Sequence, residues 1–542
     1  MESTATASAS ATPLPLLLQY ATVPCARAAT HLPLLLFLTS LIVVSRVLLF
    51  GRRRRRHHRH EPAAGAGGQC HGRPPPSPRG LPLVGNLHQL GRLPHRSLRA
   101  LAASHGPVML LRLGRVPAVV VSSSDAAREV MQAQDRAFAT RPTLAVPSRL
   151  LYGCTDIAFA PHGPYWRGAR KMAARHLLGP ARVRAYRAVR EQEVDALVRR
   201  VEVHDACRGV VRLSELLSGF AKDVAGRIVL GVRAGGDGGG WRDKIDALLD
   251  ESNVLLATFH VGDYIPWLSW VSAVDGTDAR VREAFEKIDR ILDEILEDAG
   301  RRIGTGSEVN DDAAFVHVLL SLQKESAGTE LPLSMDNVKA LLEDLFGAGT
   351  EATIIVLEWA MAELLRNKSA MHKLQNEVRQ ATRGKHCGSL VTEQDLQGME
   401  YLRAVIKETL RLHTPGPLLL PRESMQATRI GGGQYDVPCN TMLIVNAWAI
   451  GRDPKEWESP EEFRPERFVI PFGAGHWMCP GIGLSMSVVE LTLANLVARF
   501  DWALPEGERE VDMEEAPGCT SRKRAPLRTV ATSHRGDQII TS

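Results

Sequence analysis

Residues 471–500 read PFGAGHWMCPGIGLSMSVVELTLANLVARF. The segment is a glycine-rich loop around Cys479 that runs into an apolar stretch. Gly475 and Gly481 on either side let the backbone approach a flat ligand and turn its amides toward sulfur. The apolar stretch has no internal breaker, so it predicts a helix whose N-terminus carries the loop. The partial positive charge of a helix N-terminus favours thiolate over thiol. From these residues alone two readings stay open: a small core cysteine, or a thiolate ligand to a metal.

Working upstream, Ser334 is a candidate N-cap for a helix over Met335–Leu365 that is almost free of breakers. Its middle reads GAGTEAT, residues 347–353. Two glycines there cost about 1 kcal/mol each relative to alanine. That cost points either to a group that comes close to the backbone or to a helix crossing at small residues. MLLRLGRVPAVVVSS (109–123) predicts a strand pair, and RIGGGQYDVPCNTMLIVNAW (429–448) a hairpin with glycines at its bend. GGDGGG (235–240) predicts a flexible loop without the strand that a nucleotide fingerprint needs. The expected architecture is mainly α with small β-sheets.

At the front, LPLLLFLTSLIVVSRVLLF (32–50) is nineteen residues long with one charge, Arg46. About 20 apolar residues span a bilayer core. GRRRRRHHRH follows directly, and positive charge on that flank predicts a cytosolic body behind a single-pass anchor. Residues 1–31, rich in Ala, Ser and Thr with one acid, Glu2, make plastid import the alternative. RPPPSPRGLPLVGN (73–86) predicts a stiff extended spacer. The divisions are therefore an N-terminal extension (1–31), an anchor (32–50), a basic and proline-rich linker (51–86) and a catalytic domain (87–542).

Of 542 residues 44% are hydrophobic and 23% charged, an ordinary globular balance. Arg52–Arg56 alone match the formal net charge of +5, so no broad basic surface for nucleic acid is expected. The eight cysteines are thinly spread, without the spacing of a disulfide framework or a zinc site, and most are expected to be small buried hydrophobes.

Several stretches together bear a resemblance. FGAGHWMCPG resembles the cytochrome P450 haem-binding signature, with Phe472, Gly475, Cys479 and Gly481 in place. Glu408-Thr409-Leu410-Arg411 is similar to that family's E-x-x-R element, and FRPERF (463–468) to its third element, so that Arg467 completes a Glu–Arg–Arg trio. Trp166 and Arg170 in PYWRGARK resemble its W-x-x-x-R helix, and AGTE (348–351) its oxygen-side helix. The motifs fall in family order from about residue 74 to 528 and look most like the plant A-type group.

The resemblance implies a single large haem-binding domain. It also implies haem b held by Cys479, with Trp166, Arg170, Arg422, Phe472, Gly475 and Gly481 in the cofactor site. Glu408, Arg411 and Arg467 become a charge network, and Glu351 and Thr353 the catalytic pair. The implied activity is a monooxygenase of the endoplasmic reticulum membrane. It would act on a small lipophilic plant metabolite with O2 and with NADPH electrons passed by NADPH–cytochrome P450 reductase. The alternatives are a haem–thiolate isomerase or dehydratase, or a catalytically impaired membrane protein of the same fold.

Three departures stand out. Ala352 occupies the position after the helix acid where the family usually has Thr, and one helical step rotates Thr353 by about 100° from it. Trp477 replaces the signature arginine, beside His476. Ten residues separate Phe468 from Cys479, fewer than in the family, through deletion or a misplaced exon boundary.

Overall fold

The computed structural model describes residues 72–207, 209–232, 241–256, 258–304, 313–326, 332–383, 389–467 and 474–534. The chain divides into two compact units, Met1–Cys70 and His71–Ser542, and every described residue belongs to the second. The apolar run at 32–50, its basic flank, the glycine run at 235–240 and Phe472 lie outside the described residues.

Six helices frame the site: α1 (Pro164–Met172), α2 (Arg187–Ala206), α3 (Leu213–Ala225), α4 (Met335–Arg366), α5 (Glu400–Leu412) and α6 (Ile482–Arg499). Helix α4 is the long segment expected from the sequence, and Ser334 caps it. The Ser334 hydroxyl accepts from the Asn337 amide at 3.1 Å, and the Asn337 side chain accepts from the Ser334 amide at 2.9 Å. This reciprocal cap satisfies two amides that the first turn leaves without helical partners. Leu341, Leu342, Phe346, Ile355, Leu357, Trp359 and Leu364 of α4 are fully buried, and the helix packs against α3, α5 and α6. A fully buried side chain of this size contributes about 1.5–3 kcal/mol, so α4 is firmly seated. One short stretch escapes: Ala348 and Gly349 are exposed and Ala352 is half-buried.

Among the described residues α6 is the one helix whose length and composition would suit a membrane span. Its Val488, Val489 and Leu491–Val497 are buried, and it packs against α4, α2 and α5, which makes it a core helix.

The strand pair over 109–123 forms as β1 (Val108–Leu113) and β2 (Val116–Val121), antiparallel, with Val108 opposite Val121. The hairpin expected over 429–448 is corrected. Only β5 (Thr428–Ile430) and β6 (Tyr435–Val437) pair there, whereas β7 (Met442–Val445) leaves to run parallel to β2. Met442, Leu443 and Val445 are buried on that larger sheet, which offers apolar cover that a two-strand ribbon lacks. β4 (Arg422–Glu423) adds to the other edge of β7, giving the order β1-β2-β7-β4. A third sheet joins β3 (Val211–Arg212), β9 (Arg528–Ser533) and β8 (Phe500–Ala503).

The expectation for the cysteines also needs correcting. Of the five described, Cys154 is buried, but Cys207, Cys439, Cys479 and Cys519 are exposed.

Candidate active site

Cys479 sits two residues before the N-cap of α6, after a tight turn at Gly475–Trp477. Gly475 has φ +70°, and a Cβ there would lie 2.1 Å from the Met131 carbonyl oxygen and 2.5 Å from the Asp135 carboxyl carbon. No side chain fits, so the glycine fixes the path of the loop. The sulfur is exposed at its surface, yet enough protein surrounds it that burial pushes the thiol pKa up. The Gly481 amide and the Arg170 charge pull the other way, and Asp344 adds to the rise.

Asp344 belongs to α4, so the middle of that helix is within electrostatic reach of the sulfur. A Cβ on Gly347 or Gly349 would meet nothing within 4 Å. The glycines therefore do not serve a helix crossing; they border open space. An exposed sulfur, and an exposed stripe of Ala348, Gly349 and Ala352 on an otherwise buried helix, fit a large flat ligand such as haem.

Each polar group of the implied cofactor site has partners within the protein. The Trp166 indole N–H is not free for a ligand carboxylate, because it donates to the Ile157 carbonyl at 3.1 Å. Arg170 donates to the Met478 carbonyl, next to Cys479. Arg422 is buried and pairs with Asp135 at 3.0 Å while donating to the Ala474 carbonyl at 3.0 Å. Asp135 also accepts from the backbone N–H of His476 at 2.6 Å and bonds its ring. One buried carboxylate thus ties β4 to the cysteine loop.

Trp477 finds its own place. Its N–H donates to the Ala139 carbonyl at 3.0 Å, its ring lies 4.5 Å from that of Trp166, and the Arg141 guanidinium sits 3.8 Å above it. Arg141 is buried and donates to the carbonyls of Ala158, Leu420 and Pro421. Among the described residues it makes no ion pair. Burial, and then Arg422, pull its pKa down to about 9. A buried cation beside two further cations suits a ligand that carries carboxylates. Sequence reasoning missed Arg141 and Asp135. Neither stands in a chemistry-bearing pattern; both acquire meaning from partners that lie far away in the chain.

The Glu–Arg–Arg trio comes together at the end of α5. Arg411 is bidentate to Glu408, both bonds 2.8 Å, with both side chains buried. Arg467 stands 3.8 Å from Glu408 and donates to the Ser459 carbonyl at 3.0 Å. The Arg464 amide supplies Glu408 with a further bond at 2.8 Å.

On α4, Glu351 is buried and bound by two groups from the turn near residue 520. Arg522 bonds both carboxylate oxygens, and the Thr520 hydroxyl donates to one of them at 2.9 Å. Thr353 is buried, and its hydroxyl donates to the Gly349 carbonyl at 2.7 Å. Ala352, beside it, is the residue on the half-exposed stripe.

The family model "Cytochrome P450" matches residues 75–528. The chain is 44% identical over 478 residues to "Cytochrome P450 736A117" of Prunus mume, covering 85% of this chain and 90% of that one. It is also 44% identical to "(+)-menthofuran synthase" of Mentha piperita over 476 residues, 85% and 93% of the two chains. Among solved structures it resembles a zebra fish cytochrome P450 with progesterone, at TM-score 0.69 and 26% identity, covering 81% of this chain and 99% of that one.

Proposed function

The chain belongs to the cytochrome P450 family, on its plant side, and is an oxygen-incorporating oxidoreductase with a haem–thiolate cofactor; from that premise we propose that Cys479 is the haem ligand of a microsomal monooxygenase acting on a small lipophilic metabolite. The observation that carries this reading is an exposed Cys479 ahead of α6, within electrostatic reach of a helix whose buried run is broken by Ala348, Gly349 and Ala352. Haem bound through the Cys479 thiolate would supply oxygen binding and O–O cleavage.

The chain's own residues do the rest. Arg170, Arg422 and Arg141 present guanidinium groups for the carboxylates of the cofactor. Trp166 and Trp477 form an aromatic wall beside them, and Gly475 and Gly481 shape the loop that carries the sulfur. Phe472, seven residues before Cys479 in the sequence, joins this set through the family signature. Glu408, Arg411 and Arg467 hold the segment that leads into it. Glu351 handles protons on the oxygen side, and Thr353 braces the Gly349 carbonyl. A relative named for menthofuran and a similar structure with progesterone support a small lipophilic substrate.

Electrons come from NADPH through the membrane-bound flavoprotein reductase. The apolar run at 32–50 anchors the protein in the endoplasmic reticulum with its body in the cytosol. Phe259, Trp267, Trp270 and Val274, exposed large apolar residues close together in the chain, support contact of the body with the same membrane. The linker at 51–86 separates anchor from body.

Cys479→Ser is the test. The reduced, carbon monoxide-treated wild type should show the red-shifted thiolate band, and the serine variant should lose it while staying on the membrane. A serine hydroxyl is a poor, protonated donor compared with thiolate. A variant that kept the wild-type band would overturn the assignment, and wild type should turn over a metabolite extract given reductase and NADPH.

A further inference from the structure

Ala352 leaves the position after the acid of α4 without a hydroxyl, and Thr350 and Thr353 on either side spend theirs on the Phe346 and Gly349 carbonyls of the helix itself. The carboxylate of Glu351 nevertheless has a hydroxyl at hand, supplied from outside the helix. Thr520 donates to it at 2.9 Å.

The turn that brings Thr520 there is pinned on both sides of that residue. The Ser521 amide donates to the Pro415 carbonyl at 3.1 Å, and the Ser521 hydroxyl bonds the Thr414 carbonyl. The buried Trp359 indole of α4 donates to the Ser521 carbonyl at 2.6 Å, and the Ala516 amide to the Arg522 carbonyl at 2.8 Å. Thr520 is thus held against Glu351 by the backbone, while Pro517, Gly518 and Cys519 before it are exposed. Arg522, from the same turn, bonds both oxygens of Glu351 through a side chain that is 42% exposed.

We infer that Thr520 is the hydroxyl of this enzyme's proton relay in place of the helix threonine, and that Arg522 is the residue that positions Glu351 for it. The inference rests on the monooxygenase reading above. Glu351 takes one proton from solvent and becomes a carboxylic acid. It then donates that proton to the Thr520 oxygen, as the Thr520 O–H turns to give its own proton to a water. One proton enters, one leaves, no electron moves, and Glu351 returns to carboxylate. The titratable groups facing Glu351 from the turn are Arg522 and Cys519. The charge of Glu351 reaches the Cys519 thiol, whose pKa is raised chiefly by burial.

The test uses the full-length, haem-loaded protein and two readouts. Infrared difference spectra over pH follow the Glu351 carboxyl band, assigned by its loss in Glu351→Gln. Removing a donor from a carboxylate favours its neutral form, so Thr520→Val should raise the midpoint by about one pH unit, and Thr520→Ser should restore it. Arg522→Gln should raise it as well. The second readout is product formed per NADPH consumed, with hydrogen peroxide measured alongside. Positioned proton transfer is worth roughly 10²–10⁴-fold, so Thr520→Val should lower the ratio at least tenfold, and adding Ala352→Thr should recover most of the loss. A Thr520→Val protein that keeps its thiolate carbonyl band, the wild-type midpoint and the wild-type ratio overturns the inference. A wild type that forms no product removes the monooxygenase reading, while the infrared midpoint still decides whether Thr520 governs Glu351. Should Thr520→Val lose haem, Thr520→Ala carries the same two readouts.

Discussion

Arg411→Met should cost this protein its haem-binding fold, and the size of the effect follows from a count of bonds. The guanidinium of Arg411 has five N–H groups, and all five are used. Two go to Glu408 at 2.8 Å each, and three go to the carbonyls of Gly451, Pro460 and Glu462. Methionine removes all five and leaves Glu408, a fully buried carboxylate, with the Arg464 amide at 2.8 Å and Arg467 at 3.8 Å. Breaking a buried pair by deleting one partner costs about 3–5 kcal/mol. The Gly451 carbonyl, buried and left bare, adds about 1–3 kcal/mol, whereas those of half-buried Pro460 and exposed Glu462 can turn to water and add less. The sum is comparable to the whole stability of a native domain, about 5–15 kcal/mol.

The expected result is less than a tenth of wild-type haem content by carbonyl spectrum, at equal expressed protein. Glu408→Leu with Arg411→Met separates the two terms. Losing both charges removes the unpaired carboxylate, but the buried Gly451 carbonyl stays bare, so the double variant should recover only part of the haem content. Arg411→Lys, with three donors for five acceptors, should fall between wild type and methionine. The reasoning is refuted if Arg411→Met binds haem as wild type does, or if the double variant recovers completely.

Gly475→Ala should also lose the thiolate carbonyl band, because φ +70° and a 2.1 Å approach to the Met131 carbonyl leave no place for a Cβ; a normal band would show that the loop has another path. Glu343, buried and bonded to Ser252 at 2.9 Å, has its pKa raised by burial from 4.5 to about 8. The folded state therefore keeps the proton longer than the unfolded chain does, and the residue weakens the fold progressively as pH rises from about 4.5 to 8. Glu343→Gln should be neutral near pH 4 and more stable than wild type at pH 8 by thermal unfolding; a difference independent of pH would refute the sign.

Motif order and helical period were legible in the chain. So was the boundary of α4, because Ser334 and Asn337 form a cap from residues three apart. The same holds for β1 and β2, whose alternation and turn are local, and for the trio of Glu408, Arg411 and Arg467, where two members share one helix. Each of these depends on spacing that the chain itself carries. What the chain does not carry is the partner of a group hundreds of residues away. The chain places Trp166 in a motif, and only the fold shows its indole N–H donating to the Ile157 carbonyl. β7 was read into a local hairpin, but its apolar side chains gain more cover on the larger sheet with β2.

The tertiary structure also decided the meaning of the departures. Trp477 proves to be packed between the tilted ring of Trp166 and the guanidinium of Arg141. Ala352 proves to be one of three small residues on the open face of α4, and the hydroxyl it lacks is offered by Thr520, some 170 positions later. Sequence determines the period and the caps because backbone hydrogen bonds within an element are local. It leaves open which buried donor meets which acceptor, because that pairing is made only when helices and sheets exclude water together.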